Sequence, residues 1–253
     1  IFIASIPANQ NLNIRTESGM ITLYKDDGTV LEESTGPYTI ICNDGLLGVR
    51  GLRRAGCNAL YRGAIEIVKY NQNTFHIVNV IEVEDYLKGV VPNEMPVRFG
   101  LEALKAQSVA ARNYVLSPRT KAYKAFDVVD SVASQVYYGA NSEKQLSNKA
   151  VQETEGIVAL YDWDLILAQY SSTAGGYTES FAYVSSDPKT KSFPSEDKPY
   201  LHAKPDILSQ TPLNTEEAAA AYYKSRPDSF DVRSPYFRWT RNWTKEDLQK
   251  TLA

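Results

Sequence analysis

Histidine is scarce in this chain, with only His76 and His202 among 253 residues. His76 alternates within a run of strand character and His202 sits in the loop sequence Pro199-Tyr200-Leu201-His202. Neither has the setting of a general base or a metal ligand, so both read as structural and a Ser-His-Asp hydrolase fits poorly. There is no Walker loop, dinucleotide fingerprint or HExxH pair. The net charge is −3 and no basic run occurs, which argues against a nucleic-acid partner. No stretch approaches the ~18 apolar residues of a membrane span. Internal repeats and low-complexity tracts are also lacking. The chain starts at Ile1 rather than methionine, so a removed upstream signal or anchor is expected, as is truncation after Leu252-Ala253.

Cysteine is equally rare. Cys42 and Cys57 enclose a segment holding Gly45, Gly48, Gly51 and Gly56. A bridge between them would stabilise by ~3 kcal/mol in the chain-entropy model, and an exported compartment would permit it. Two buried free thiols are the alternative.

What is present suffices for a core. Hydrophobic residues make up 43% of the chain, near the average, and its length allows one large domain or two small ones. Residues 1–80 read as strands and turns: 20–24, the turn Asp26-Asp27-Gly28, then 38–41. Residues 62–70 alternate and pair naturally with 74–80 across Asn71-Gln72-Asn73. Residues 82–116 give two helices and 143–154 a third; strands follow at 157–161 and 165–171, turned by Asp162-Trp163-Asp164. Residues 185–212 are loop-rich, with Pro188, Pro194, Pro199, Pro205 and Pro212, and read as a cleft wall, a lid or surface padding. Helices close the chain at 215–224, with Thr215 as N-cap, and at 244–252, capped by Thr244. The fold class is α+β, helices against a mainly antiparallel sheet, with a β-rich region at 1–70 and a second region at 71–253.

Glu94 stands out within Val90-Val91-Pro92-Asn93-Glu94-Met95-Pro96. Two prolines fix the backbone around it, which predicts a short, stiff connection between helices. A carboxylate directed in that way suits a general acid/base, although most glutamates are solvated surface charges. Before it, Val83, Tyr86, Leu87 and Val90 mark one face of a helix, while Glu82, Glu84 and Asp85 read as helix-start charges in water. After it, residues 100–116 are small and apolar around most of the circumference, stopped by Ser117-Pro118. Lys105, Gln107, Ser108 and Arg112 are the polar exceptions, forming either a satisfied internal network or one wall of a substrate cleft.

These residues carry a resemblance. Asn79-Val80 through Glu84-Asp85-Tyr86-Leu87-Lys88-Gly89-Val90-Val91-Pro92-Asn93-Glu94-Met95-Pro96, followed by Leu101 to Arg112, resembles the signature of the stage II sporulation protein D / LytB family. Ser134-Gln135-Val136-Tyr137-Tyr138-Gly139 resembles its Gln-Val-Tyr block, and Tyr170-Ser171-Ser172-Thr173-Ala174-Gly175-Gly176-Tyr177-Thr178-Glu179-Ser180 its Gly-rich block. Ser234-Pro235-Tyr236-Phe237-Arg238-Trp239 resembles its C-terminal aromatic block, so the match runs over roughly residues 60–250.

The resemblance implies a peptidoglycan-remodelling protein outside the cytoplasmic membrane. One branch of the family is a lytic transglycosylase acting on glycan stripped of stem peptides; the glutamate of its Glu-Met-Pro motif, Glu94 here, is the catalytic acid. The other branch is named for enhancing a cell-wall amidase, which makes glycan strands and an amidase the partners to consider. In this context Lys105, Gln107, Ser108, Arg112, Gln135, Tyr137, Ser171, Ser172, Thr173, Gly175, Gly176 and Tyr177 are candidate substrate-binding residues. Zinc-binding members place His-Cys before Gln-Val-Tyr and another cysteine upstream; here Ala133-Ser134 and Asp127-Val128-Val129-Asp130 stand there. Neither thiolate nor imidazole is on offer, so no metal and no cofactor is expected; if the metal of those members is structural, hydrogen bonds from Asp130 and Ser134 are expected to substitute for it.

A lytic transglycosylase needs one carboxylate, since the muramic C6 hydroxyl serves as nucleophile, whereas hydrolases usually use two. Val90, Val91, Met95 and Phe99 could supply an apolar setting for Glu94, and Lys105 and Arg112 are expected not to pair closely with it. A true muramidase, with Asp127, Asp130 or Glu179 as second carboxylate, is the weaker alternative.

Overall fold

In the computed structural model, which describes residues 2–7, 10–43, 45–117, 123–184, 186–187, 189–207 and 213–252, the alternating apolar pattern becomes strands. Of the residues singled out above, Ile1, Pro118, Pro188, Pro212 and Ala253 lie outside the described residues. The chain divides into two compact units, Ile1–Gln169 and Tyr170–Ala253.

In the first unit, β1 (Leu12–Glu17), β2 (Met20–Lys25) and β3 (Val30–Ser34) form an antiparallel sheet with β2 in the middle. Ile21 and Leu23 of the central strand are buried, whereas edge positions stay partly wet. The Asp26–Gly28 turn forms as expected: Gly28 has φ +86° and Asp27 Oδ1 accepts the Thr29 N–H at 2.9 Å. A second antiparallel sheet is ordered β4 (Tyr38–Ile41), β7 (Ala64–Lys69), β8 (Phe75–Val80), again with the centre buried through Ile65 and Ile67. The β7–β8 hairpin pairs Ala64 with Val80 and Lys69 with Phe75. Between β4 and β7 lies the ribbon of β5 (Leu47–Arg54) and β6 (Cys57–Tyr61). Cys57 faces Arg54 in that ribbon while Cys42 follows the end of β4, an element of another sheet. Both thiols are exposed and unbridged, which is neither the disulfide nor the buried pair considered from sequence.

Three helices complete the core. α1 (Val83–Glu94) buries Tyr86, Leu87, Val90 and Val91; α2 (Leu101–Leu116) buries Leu104, Ala111 and a polar set. α3 (Gln145–Glu153) packs on both through Ala150 and Val151, preceded by a 3₁₀ turn, Gly139–Ser142. The strands expected over 157–161 and 165–171 shrink to two residues each, β9 (Leu160–Tyr161) and β10 (Asp164–Leu165), turned by Asp162 and Trp163 at positive φ. The backbone on either side is engaged elsewhere. Asn113 of α2 accepts the Ala159 N–H at 2.8 Å and donates to the Ala159 carbonyl at 2.7 Å and to that of Ile166 at 3.3 Å.

The second unit has less regular structure. α4 (Glu216–Lys224) is capped by Thr215, whose Oγ1 accepts the Ala218 N–H at 3.1 Å, and α5 (Lys245–Leu252) follows Thr244, whose Oγ1 accepts that of Asp247 at 3.1 Å. Single bridges, Tyr177 with Pro205 and Ile207 with Ser229, tie loops around buried Ile207, Tyr222 and Phe237. All the ladders described are antiparallel, and the fold is α+β. Among the described residues no helix is long and apolar enough to cross a membrane.

Candidate functional site

Glu94 is the last residue of α1, not part of a free connection, because the helix continues through Pro92. Pro92 lacks the N–H that would reach back one turn. Near it the Gly89 carbonyl accepts from Asn93 Nδ2 of the same helix at 2.7 Å and, from outside the helix, from Tyr138 N–H at 3.3 Å and Ser142 Oγ at 3.3 Å. Met95 is extended and ends the helix, its N–H bonded to Val91 O at 3.0 Å. The Glu94 carboxylate is half-buried, and its Oε1 accepts the Val136 N–H at 2.6 Å. Among the described residues Glu94 has no other hydrogen-bond partner and no cation paired with it. Of the four apolar residues expected near it, Val90 and Val91 are in the core, Met95 packs against that core and Phe99 is exposed.

The segment that offers Val136 is braced at several points. Arg54 of β5 donates from Nε to Asp130 Oδ2 at 2.9 Å, and its Nη2 forms a second bond to the same oxygen. The Asp130 carbonyl accepts the Tyr137 N–H at 3.4 Å, and Ser134 Oγ accepts that of Val129 at 3.3 Å. Gln135 is wholly buried: its Oε1 accepts from the Tyr86 hydroxyl at 3.2 Å and its Nε2 donates to the Ala111 carbonyl at 3.4 Å. Tyr137 is buried against the rings of Tyr86 and Tyr61, and its hydroxyl donates to Asn79 Oδ1 at 2.6 Å. Burial pushes its phenol well above the ordinary value. Gly89 makes the fit possible, since a Cβ there would lie 2.6 Å from the Tyr137 ring. Gln135 and Tyr137 thus hold the segment in the interior and are not presented to a ligand.

The same segment does not fit zinc. Asp130 is engaged by Arg54, Asp127 is exposed, and Ala133 and Ser134 offer no soft donor. Among the described residues no three or more His, Cys, Asp or Glu side chains converge.

The polar residues of α2 are engaged separately from one another. Arg112, 1% exposed, donates from Nε and Nη2 to the two oxygens of Glu84 at 2.7 and 2.6 Å and from Nη1 to the Ile157 carbonyl at 3.0 Å. Glu84 is therefore a partly buried ion-pair partner and not a freely solvated helix-start charge. Ser108 is buried and donates to the Leu104 carbonyl at 2.8 Å; Lys105 pairs with Glu153 at 2.6 Å and Glu102 at 3.0 Å. Gln107 is buried too, its Nε2 without a partner among the described residues. Arg112 and Ser108 are thus bonded inside the fold, whereas Lys105 pairs near the surface.

In the second unit the Gly-rich block is gripped by residues that sequence reasoning missed. Asp231 Oδ2 accepts the N–H groups of Ala174 and Gly175, both at 2.7 Å. The Gly175 carbonyl accepts from the Tyr222 hydroxyl and Arg238 Nη1, both at 2.9 Å. Gly175 and Gly176 have φ of +73° and +96°, and a Cβ on Gly176 would collide with the Tyr222 hydroxyl. Thr173 Oγ1 lies 2.5 Å from Ser234 Oγ, whereas Ser171 and Ser172 are exposed. Tyr177 meets Tyr222 edge-on with ring centres 5.2 Å apart. A cleft of about 320 Å³ opens here, bordered by Thr173, Gly175, Tyr177 and the aromatic C-terminal block. Burial would raise the Asp231 carboxyl, but hydrogen bonds from Ser229, Gly175 and Ala174 outweigh it and hold the group below the usual aspartate range. Arg238 lay inside a motif already singled out; for Asp231, 57 residues from Ala174, no local spacing signal exists.

The remaining candidates are accounted for. His76 lies between Tyr70 and Phe126, at ring separations of 4.7 and 5.2 Å, and His202 Nε2 is 2.9 Å from Asp197 on the surface. Glu179 Oε1 accepts the Ser180 N–H.

Residues 71–161 match the family model described as stage II sporulation protein (SpoIID). Over 120 residues the chain is 47% identical to the amidase enhancer of Bacillus subtilis (strain 168), covering 47% of this chain and 15% of that protein. It is 28% identical over 215 residues to stage II sporulation protein D of the same organism, covering 78% of this chain and 53% of that one. With stage II sporulation protein D of Bacillus amyloliquefaciens it shares 33% over 196 residues, 70% of this chain and 47% of that one. The chain thus spans between 15% and 53% of the length of these relatives. No solved structure matches it.

Proposed function

The chain carries a SpoIID-family domain at residues 71–161, and from that premise we propose that it remodels the bacterial cell wall as a lytic transglycosylase of peptidoglycan glycan strands, with Glu94 as single acid/base. The observation that carries this reading is the Glu94 carboxylate: one oxygen is oriented by the Val136 N–H at 2.6 Å, and no other protein group among the described residues occupies it. A catalytic acid needs that combination of a fixed direction and an available oxygen.

In the first step protonated Glu94 gives its proton to the oxygen linking N-acetylmuramic acid to N-acetylglucosamine, and the C1–O bond breaks. The muramic C6 hydroxyl then bonds to C1, closing a 1,6-anhydro ring, and its proton passes to the Glu94 carboxylate. Glu94 returns to its starting state and no water is consumed. No second carboxylate is required, which agrees with Asp130 being engaged by Arg54. The Gly-rich block of the second unit, shaped by Asp231 and Tyr222, binds saccharide in this reading. The region 71–253 carries the activity, outside the cytoplasmic membrane, on strands free of stem peptides.

A second reading is kept because one relative, 47% identical over 120 residues, is named amidase enhancer. Here the chain would bind the wall or an amidase without cutting glycan. Incubating purified glycan strands, with and without stem peptides, with wild type and Glu94→Gln separates the two by mass spectrometry. Anhydro-muramyl ends from wild type alone support the transglycosylase. Reducing ends indicate hydrolysis, and no cleavage by folded protein moves the assignment to the binding role.

A further inference from the structure

We propose that the aromatic cleft of the second unit is a stacking subsite for a neutral N-acetylhexosamine ring, with Trp239, Tyr236 and Tyr223 as its platform. This deepens, and rests on, the glycan reading above.

Three large rings border one cleft yet face solvent: Trp239 is 74% exposed, Tyr236 68% and Tyr223 66%. Tyr236 and Tyr223 each adjoin a buried residue, and Trp239 follows Arg238, whose N–H groups are bonded to four backbone carbonyls. Phe237 is buried between Tyr236 and Arg238, and Tyr222 is buried next to Tyr223 on α4. The platform is therefore attached to anchored backbone, which lowers the ordering cost of binding. The cleft, about 320 Å³, is at the small end of ordinary ligand sites, with room for a sugar ring.

The polar groups around it are largely engaged within the protein. Arg238 directs its N–H groups to the carbonyls of Tyr223 at 3.2 Å, Gly175 at 2.9 Å, Phe237 at 2.8 Å and Tyr222 at 3.2 Å. Asp231 accepts from Ala174, Gly175 and Ser229. What is left to meet a ligand is aromatic surface and the Thr173–Ser234 hydroxyl pair. A pyranose ring matches both: one face presents C–H groups to an aromatic ring, and its rim presents hydroxyls and an N-acetyl group.

The test uses the full chain with Glu94→Gln, so binding is read without cleavage. N-acetylglucosamine tetramer and stem-free glycan strands are titrated by calorimetry. Trp239→Ala is expected to weaken both by about tenfold, and Tyr236→Ala or Tyr223→Ala by a few-fold each. Trp163→Ala, an exposed ring of the first unit, leaves affinity unchanged. Melting curves confirm that each variant is folded. If Trp239→Ala/Tyr236→Ala binds sugar like its parent, the subsite is overturned, while anhydro ends from wild type would keep the proposed function. A folded parent that binds neither sugar overturns the subsite, as does one that binds a polyproline peptide through these rings and no sugar.

Discussion

Arg112 and Glu84 form a two-pronged ion pair, at 2.7 and 2.6 Å, that ties the C-terminal part of α2 to the first turn of α1. The guanidinium is essentially buried and its Nη1 also satisfies the Ile157 carbonyl. Arg112→Ala would strand a partly buried carboxylate and orphan a carbonyl, so a loss of about 3 kcal/mol in urea unfolding is expected. Arg112→Lys keeps the charge but not the fork and should recover only part of it. Stability within error of wild type for Arg112→Ala would show the pair to be dispensable.

Gly89 opposes Tyr137. In a helix Gly→Ala normally stabilises by about 1 kcal/mol, but here the new methyl would sit 2.6 Å from the ring and 2.9 Å from the Gly139 carbonyl. Overpacking of this kind costs about 1–3 kcal/mol. The steric effect should win, so Gly89→Ala is expected to lower the melting temperature and alter the near-UV tyrosine signal. A gain in stability would mean that Tyr137 can move aside freely.

Arg54 and Asp130 brace the segment that bonds Glu94. Both are partly exposed, so the pair itself contributes only about 1 kcal/mol or less. Its larger consequence is local. Asp130→Asn is expected to speed hydrogen exchange at the Val136 amide and to lower glycan cleavage more than global stability. Exchanging the two charges, Arg54→Asp with Asp130→Arg, should restore part of the protection. Unchanged exchange in the single variant would remove Asp130 as a positioning residue.

Asp231 gives the second unit an acid limit. Burial acts to raise its carboxyl, yet the bonds from Ser229, Gly175 and Ala174 prevail and its folded value is depressed. A depressed carboxylate stabilises above its unfolded pKa of about 4, and that stabilisation is lost as pH falls through the folded value. Asp206 acts in the opposite sense, raised by burial and then by Asp231. Wild type is therefore expected to lose stability below about pH 4, and Asp231→Asn to show a shallower decline in a melting series. Parallel pH profiles would place the acid sensitivity elsewhere.

Much of this could be read from the chain. Period-two runs mark β2, β4, β7 and β8, the Asn71–Asn73 turn sets the register of the hairpin, and Thr215 caps α4 where it should. These are local effects: each depends on residues within a few positions of one another. Glu94 was also legible, as an odd residue in a motif, but its setting was not. The prolines suggested a stiff link, whereas α1 runs through Pro92 to Glu94, with its Gly89 carbonyl held by Tyr138 and Ser142 from outside the helix.

The sequence by itself determined the β7–β8 hairpin, the strands β2 and β4 and the helices α2 to α5, and which polar residues are out of place. Only the tertiary structure decided what those polar residues do. Arg112 faces Glu84 28 positions away, Val136 reaches Glu94 across 42 and Asp231 reaches Ala174 across 57. Local propensity has no hold over such separations. A buried charge or backbone group must find its partner wherever the packed chain happens to bring one.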